Sequence, residues 1–246
     1  MARTPRAAAC DTRRTMVNLL ERTSRAALDL LFPPRCALCR AAGSMLCDAC
    51  TAILPVAVGR RCQRCWTPVL HDGVVCAHCS DHDLAFATIR APFVMEEGAR
   101  TLVHALKYEG MSALGEPMGA LMASKLDIAR DLFVPVPLHR GRQRSRGYNQ
   151  AAQLGRHIAL ATGLPFDARA ATRIRPTKPL ARTMHRDERH DIVAGAFAAT
   201  AARVEGRTIL LVDDVATTGA TLGACAKALL DAGAASVHCI TFARAG

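Results

Sequence analysis

Two adjacent carboxylates, Asp213 and Asp214, follow a short apolar run, Ile209-Leu210-Leu211-Val212, and precede a turn of small and hydroxyl residues, Thr217-Thr218-Gly219-Ala220-Thr221. Carboxylates accept hydrogen bonds from vicinal hydroxyls and help to place Mg²⁺. A small-residue turn that opens a helix presents unpaired backbone N–H groups and the positive end of the helix dipole, which suit a phosphate. Gly219 lets the backbone approach such a group without a side chain in the way. The combination fits a phosphorylated sugar, with sugar and phosphate read together.

The neighbouring residues are those needed to position this chemistry. Ile209 to Val212 have the pattern of a strand buried on both faces of a parallel sheet. Beyond the turn, Leu222, Cys225, Ala226, Leu229 and Leu230 recur at helical spacing up to Gly233, a C-terminal cap. Neither G-x-x-x-x-G-K-[ST] nor a G-x-G-x-x-G after a strand is present, so the two commonest nucleotide-phosphate motifs are missing.

A second set of chemically competent residues lies upstream. Eight of the 11 cysteines fall into four C-x-x-C pairs: Cys36/Cys39, Cys47/Cys50, Cys62/Cys65 and Cys76/Cys79. Four thiolates make a closed tetrahedral zinc site with no open position for catalysis, so two structural Zn²⁺ ions are expected. Sequential ligation, first pair with second and third with fourth, is the simplest partition, and a crossed one is compatible with the same spacing. None of the pairs is followed by Gly; the next residues are Arg40, Thr51, Trp66 and Ser80, so the glycine-assisted knuckle turn is expected to be missing. Cys225 and Cys239 fall in helical and strand patterns and read as small buried hydrophobes, unconnected to metal.

Residues 139–191 hold 12 Lys and Arg against 4 Asp and Glu, a surplus of +8 within a chain of net charge +11. The apolar segment Val134-Pro135-Val136 runs out into what reads as an arginine loop, His139-Arg140-Gly141-Arg142-Gln143-Arg144-Ser145-Arg146. A helix with Ala151, Leu154, Ile158 and Ala159 inward follows. Loops at the carboxyl ends of parallel strands gather on one side of the sheet, so this loop and the Thr217 turn should face one cleft. Guanidinium groups there would clamp a diphosphate. A second basic interval, Arg173 to His190, has Lys178, Arg182, Arg186 and Arg189 among Pro176 and Pro179 and no clean periodicity.

At 246 residues, half of them apolar, the chain can bury one sizeable core and a small appendage. No apolar run approaches the ~18 residues of a membrane span, and no small-residue cleavage site follows the Arg-rich N-terminus. A cytoplasmic location with free thiols is therefore expected. Val17, Leu20, Ala27, Leu28 and Leu31 trace one apolar helix face that ends at Phe32-Pro33-Pro34. That face packs on the core, or docks a partner protein or an anionic membrane surface.

The Asp213 to Thr221 segment resembles the phosphoribosyl pyrophosphate loop of type I phosphoribosyltransferases. The resemblance implies that Asp213 and Asp214 contact the ribose hydroxyls and that Thr217, Thr218, Gly219, Ala220 and Thr221 hold the 5′-phosphate. It assigns pyrophosphate to His139 and Arg140, brings Mg²⁺ with the substrate, and makes the second basic interval a hood over the cleft. Thr217 stands where purine-salvage members carry an acid, which disfavours that substrate class.

The whole chain from about Leu28 to Arg244 resembles the competence-associated ComF family. The resemblance is carried by the cysteine pairs, Leu106-Lys107-Tyr108-Glu109-Gly110, Pro135-Val136-Pro137-Leu138-His139-Arg140, Arg146-Gly147-Tyr148-Asn149-Gln150 and the Asp213 loop. It departs from the family at Leu180 and Asp191. The implied fold is α/β, a type I phosphoribosyltransferase-like parallel sheet flanked by helices, with a small N-terminal zinc-ribbon module. The expected division is a tail and amphipathic helix over 1–35, a double zinc ribbon over 36–83 and a phosphoribosyltransferase-like domain over 84–246. The implied role is the handling of imported single-stranded DNA.

Two functional classes follow. A phosphoribosyltransferase would use Asp213 and Asp214 at the sugar and Arg140 at the departing pyrophosphate. A single-stranded DNA-binding adaptor would keep the fold as scaffold and use Lys107, Arg142, Arg144, Arg146, Lys178, Arg182 and Arg189 along the backbone, with Tyr148 and Trp66 as stacking surfaces. Aromatics are 4% of the chain, so such binding would be mostly electrostatic.

Overall fold

Cys36 and Cys39 lie on a tight turn that reverses the chain: Arg40 N–H donates to the Cys36 carbonyl at 2.9 Å and Cys36 N–H to that of Ala41 at 2.8 Å. The turn needs a left-handed residue after the second cysteine, and Arg40 adopts φ 66° there. Cys62 and Cys65 repeat it, with Trp66 at φ 63° and its N–H on the Cys62 carbonyl at 3.0 Å. The knuckle turn therefore forms without glycine, contrary to the expectation from sequence. A left-handed L-residue costs roughly 1–2 kcal/mol, which metal ligation can offset.

The computed structural model describes residues 33–82, 84–126, 130–177 and 192–245. The chain divides into one unit up to Cys47 and a second from Asp48 onward. The second unit begins with the one-turn helices α1 (Asp48–Ala52) and α2 (Ala77–Asp81), then β1 (Thr88–Arg90), β2 (Phe93–Val94) and α3 (Glu97–Tyr108). Next come α4 (Gly115–Ala123), β3 (Leu132–Pro135), α5 (Arg140–Arg146), α6 (Gln150–Thr162) and β4 (Ala171–Arg173). The C-terminal part holds β5 (Phe197–Ala199), α7 (Ala201–Val204), β6 (Thr208–Ala216), α8 (Ala220–Asp231) and β7 (Ser236–Arg244). No helix among the described residues is long and apolar enough to cross a membrane.

The main sheet is parallel, in the order β1-β7-β6-β3, with β2 continuing along β7 beyond β1. β6 sits between β3 and β7, and Ile209 to Val212 have no exposed surface, so both faces of the strand are covered. Burying each such side chain contributes about 1.5–3 kcal/mol. The strand runs further than its apolar stretch: Asp213 pairs with Thr241, and the ladder continues to Ala216 opposite Arg244. The two acids are thus inside the strand rather than past its end.

Helix α6 packs on β3 and β6, and α4 packs on α6 and β7. A Cβ on Gly115 or Gly119 would lie 2.8 Å from the Cβ of Gln153 or His157, so these glycines set the close approach of α4 to α6. Helix α8 ends as its periodicity requires: Gly233 (φ 96°) N–H donates to the Leu230 carbonyl at 2.9 Å and Ala234 N–H to that of Leu229 at 3.1 Å. Strands β4 and β5 pair antiparallel, apart from the main sheet.

The arginine segment is a helix, not a loop. His139 caps α5 by accepting the Gly141 N–H on Nδ1 at 3.2 Å, and Gly147 (φ 85°) ends it. Arginine is a good helix former, and the two caps supply the stop signals. The apolar face expected at Val17 to Leu31 lies outside the described residues.

Candidate functional site

A cleft of about 980 Å³ opens at the carboxyl ends of β3, β6 and β7, where ligands bind in open α/β sheets. Asp213 and Asp214 lie in its floor, with Lys107 at the end of α3 beside them. Lys107 Nζ is ion-paired with Asp214 Oδ2, and Gln150 Nε2, at the start of α6, donates to Asp214 Oδ1 at 3.4 Å. The Asp214 backbone N–H donates to Asp213 Oδ1 at 2.9 Å.

The acids are therefore not equivalent. Burial and the adjacent Asp214 charge push Asp213 well above the usual carboxylate range. Burial also opposes ionisation of Asp214, but Lys107 together with hydrogen bonds from Asp213, Lys107 and Gln150 holds it below that range. The pair therefore favours the proton on Asp213 and the charge on Asp214. Lys107 stays an ammonium: burial opposes its charge, and Asp214 and Asp213 more than restore it.

The turn after β6 has the expected form. Gly219 (φ 84°) precedes α8, and Thr218 Oγ1 accepts the Ala220 N–H at 3.3 Å. Thr217 and Thr221 line the cleft, while Ala220 is buried in the first turn of the helix. A Cβ on Gly219 would meet the Phe86 ring at 3.4 Å, so the position is confined as well as left-handed.

On the basic side, Arg142 and Arg146 line the cleft from α5, and Arg173 reaches it from the end of β4. Arg142 donates to the Thr177 carbonyl at 3.0 Å, and Arg173 lies 5.1 Å from the Phe197 ring centroid. Burial and the neighbouring Arg142 charge pull the Arg173 guanidinium below the usual arginine range. Two guanidiniums that repel one another in a cleft favour an anion between them. His139 and Arg140 are not among the lining residues; Arg140 and Arg144 are exposed. Lys178, Arg182 and Arg189 lie outside the described residues.

Both aromatics expected to stack on bases are partly buried and hydrogen-bonded within the protein. The Tyr148 hydroxyl donates to the Leu106 carbonyl at 2.5 Å, which ties the start of α6 to α3. Trp66 donates from Nε1 to the Ala91 carbonyl at 2.8 Å and lies under Arg90. The exposed aromatic at the cleft is Tyr108, 67% accessible, with Arg146 packed 5.2 Å from its ring centroid. Arg146 in turn donates to Gln150 Oε1 at 2.5 Å. Gln150, Tyr108, Arg173 and Arg244 belong to this site and were not singled out from sequence as lining it. Only the Leu106 to Gly110 and Arg146 to Gln150 motifs pointed near two of them.

The cysteines gather sequentially: Cys36, Cys39, Cys47 and Cys50 form one group, and Cys62, Cys65, Cys76 and Cys79 the other, each with its Sγ atoms within 4.8 Å of one another. Tetrahedral zinc with Zn–S bonds near 2.3 Å separates thiolates by roughly 3.8 Å. Cys39 and Cys47 are 3.7 Å apart at Sγ, and Cys65 and Cys76 are 3.6 Å apart. Both groups fit structural Zn²⁺. Cys62, Cys65 and Cys79 share a hydrophobic core with Phe86, Ile89, Leu211 and Leu222 of the sheet and α8. Cys225 and Cys239 are fully buried in the core.

Residues 27–80 match the family model described as double zinc ribbon domain, and residues 114–246 the one described as phosphoribosyl transferase domain. The chain is similar to the DNA utilization protein YhgH of Salmonella typhimurium, 28% identical over 85% of this chain and 96% of that one. It is also similar to Competence protein ComFC of Bacillus subtilis, 26% identical over 81% and 84% of the two chains. Competence protein F of Haemophilus influenzae is 32% identical over 47% of this chain and 51% of its own.

Proposed function

Because this chain belongs to the phosphoribosyl transferase domain family, with a double zinc ribbon ahead of that domain, we propose that its cleft binds phosphoribosyl pyrophosphate. We further infer that it works in the cytoplasm on imported single-stranded DNA. The carrying observation is the buried Asp213 and Asp214 pair beside the Gly219 turn, faced by Arg142 and Arg173 across the cleft. The carboxylates take the ribose 2′- and 3′-hydroxyls, the backbone of Thr217 to Thr221 takes the 5′-phosphate, and Arg142 and Arg173, rather than His139 and Arg140, take the diphosphate. The division into 1–35, 36–83 and 84–246 belongs to the same reading.

Asp213 and Asp214 would be the protein-side donors to a Mg²⁺ bound with the diphosphate, which would neutralise part of the diphosphate charge. Carboxylate oxygens are hard donors that suit Mg²⁺, but Asp214 is already engaged by Lys107. Lys107 must release Asp214 before the acid can serve sugar or metal, and the freed ammonium then faces the substrate's anionic oxygens. As the anomeric carbon becomes cationic, the negative charge held on Asp214 beside Asp213 stabilises it.

A second reading is favoured by that same ion pair, which satisfies Asp214 without any ligand. In it the fold is a scaffold, and Lys107, Arg142, Arg144, Arg146, Lys178, Arg182 and Arg189 track a DNA backbone. The similarity to proteins named for DNA utilization and competence supports a nucleic-acid role in either case. A helicase or processing protein is the partner class for the N-terminal segment.

Calorimetric titration with phosphoribosyl pyrophosphate and Mg²⁺ tests the two. Saturable binding by the native chain, lost in Asp213→Asn/Asp214→Asn while retention on single-stranded DNA persists, supports the first. No binding by the native chain sinks it, and loss of both activities in the variant points to one shared site.

A further inference from the structure

Arg244 is the last residue of β7, and 2% of it is exposed. Its guanidinium joins two places 150 residues apart in the chain. On one side Nε donates to the Cys65 carbonyl at 2.9 Å and Nη2 to Thr67 Oγ1 at 2.8 Å. On the other, Nη1 donates to the Ala216 carbonyl at 3.0 Å and also to the Thr217 carbonyl, where the phosphate turn begins. A trans peptide is planar with its C=O and N–H opposed. Holding the Ala216 and Thr217 carbonyls toward Arg244 therefore aims the N–H groups of Thr217 and Thr218 away from it.

The other end of the strut depends on the second cysteine group. Cys65 is one of its four members, and the Thr67 hydroxyl lies 3.3 Å from Cys65 Sγ. Between them Trp66 is held in the left-handed conformation. An apolar path runs beside the polar one: Arg64, inside the same C-x-x-C turn, accepts the Ile89 N–H at 2.6 Å and donates to the Leu84 carbonyl at 2.9 Å. The Phe86 and Ile89 side chains close over Gly219, at 3.4 and 3.5 Å from where a Cβ would be.

We propose that Arg244 is a positioning residue that transmits the metal-bound shape of the Cys62/Cys65/Cys76/Cys79 knuckle to the Thr217 to Thr221 turn. The second zinc is then a structural cofactor of the phosphate site as well as of its own ribbon. This assignment of consequence rests on the ribosyl-phosphate reading of the turn, but the mechanical coupling does not. Without metal, four crowded thiol groups lose their common ligand and the left-handed Trp66 relaxes. The Cys65 carbonyl and Thr67 hydroxyl then withdraw from the guanidinium, and the turn loses its anchor.

Amide hydrogen exchange on the full chain, without sugar ligand, reads the coupling directly. Cys76→Ser should retain one zinc per chain and exchange the Ala220 and Gly223 amides, which donate to Thr218 Oγ1 and the Gly219 carbonyl, at least tenfold faster, with α6 still protected. Arg244→Gln and Thr67→Val should retain both zincs and still loosen the turn, Arg244→Gln more. Unchanged turn protection in Arg244→Gln, or in Cys76→Ser with α6 intact, overturns the proposal. If Cys76→Ser unfolds throughout, the two variants that keep every thiol decide. Titration with phosphoribosyl pyrophosphate and Mg²⁺ separates the readings: coupling without any binding by the native chain removes the substrate assignment and leaves the strut.

Discussion

Lys107 Nζ meets Asp214 Oδ2 in the cleft floor, joining the end of one helix to the middle of the central strand. Lys107 is mostly buried and Asp214 almost wholly so, with side-chain exposures of 23% and 3%. Breaking a buried pair on one side leaves an uncompensated charge, which typically costs about 3–5 kcal/mol. Lys107→Met should therefore lower the urea midpoint substantially, and Lys107→Met/Asp214→Asn should recover most of the loss. Equal midpoints for Lys107→Met and the native chain would show that the pair is not stabilising.

Asp213 predicts the opposite behaviour with pH. Its folded-state pKa lies above the ordinary carboxylate value, so the folded protein binds this proton more tightly than the unfolded chain does. Stability then falls as pH rises from the unfolded carboxylate pKa, about 4, toward the raised folded value, and the penalty is complete above it. Asp213→Asn removes the penalty. Denaturation across pH should find it no more stable than the native chain near pH 4 and increasingly favoured at higher pH, and a difference constant across that window would refute the assignment.

Gly219 combines φ 84° with contact to Phe86. Gly219→Ala should cost roughly 1–2 kcal/mol through the left-handed backbone. It should also weaken ribose 5-phosphate binding beyond any change in melting temperature, because an L-residue strained at this φ disturbs the backbone that takes the phosphate. Calorimetry and thermal melts on the same sample check both.

Arg142 and Arg144 separate two surfaces. Arg142 lines the cleft and Arg144 is exposed outside its lining. Arg142→Ala should weaken phosphoribosyl pyrophosphate binding about tenfold or more, the loss of one charged hydrogen bond, and Arg144→Ala should leave it unchanged. If both touch single-stranded DNA, each should reduce the magnitude of the salt slope by about 0.7, measured by anisotropy over a potassium chloride series. An unaltered slope in Arg144→Ala would exclude the outer face of the helix from the DNA path.

Much of the fold was legible because it is written in local periodicity. Ile209 to Val212 could only be a doubly buried strand, and Leu222 to Leu229 followed by Gly233 could only be a capped helix; both occur, the cap with its full pair of hydrogen bonds. Arg140 to Arg146 was misread as a loop because charge was weighed above helix propensity and its two caps. The left-handed residue at Arg40 and Trp66 was not legible, because the same C-x-x-C spacing gives helical turns at Cys47/Cys50 and Cys76/Cys79.

The residue types at the site were equally legible: paired acids, a glycine turn, a basic segment and cysteines three apart. Their pairing was not. The Lys107 to Asp214 bridge, Arg173 beside Arg142, and Arg244 between two turns all join residues far apart in the chain. Periodicity reports which face a side chain takes on its own helix or strand. Which charge it meets is decided by the strand order β1-β7-β6-β3, which brings the ends of β3, β6 and β7 together. Only there does burial remove the water that would otherwise screen each charge, so that Lys107 pairs with one acid of two and the other is pushed toward its neutral form.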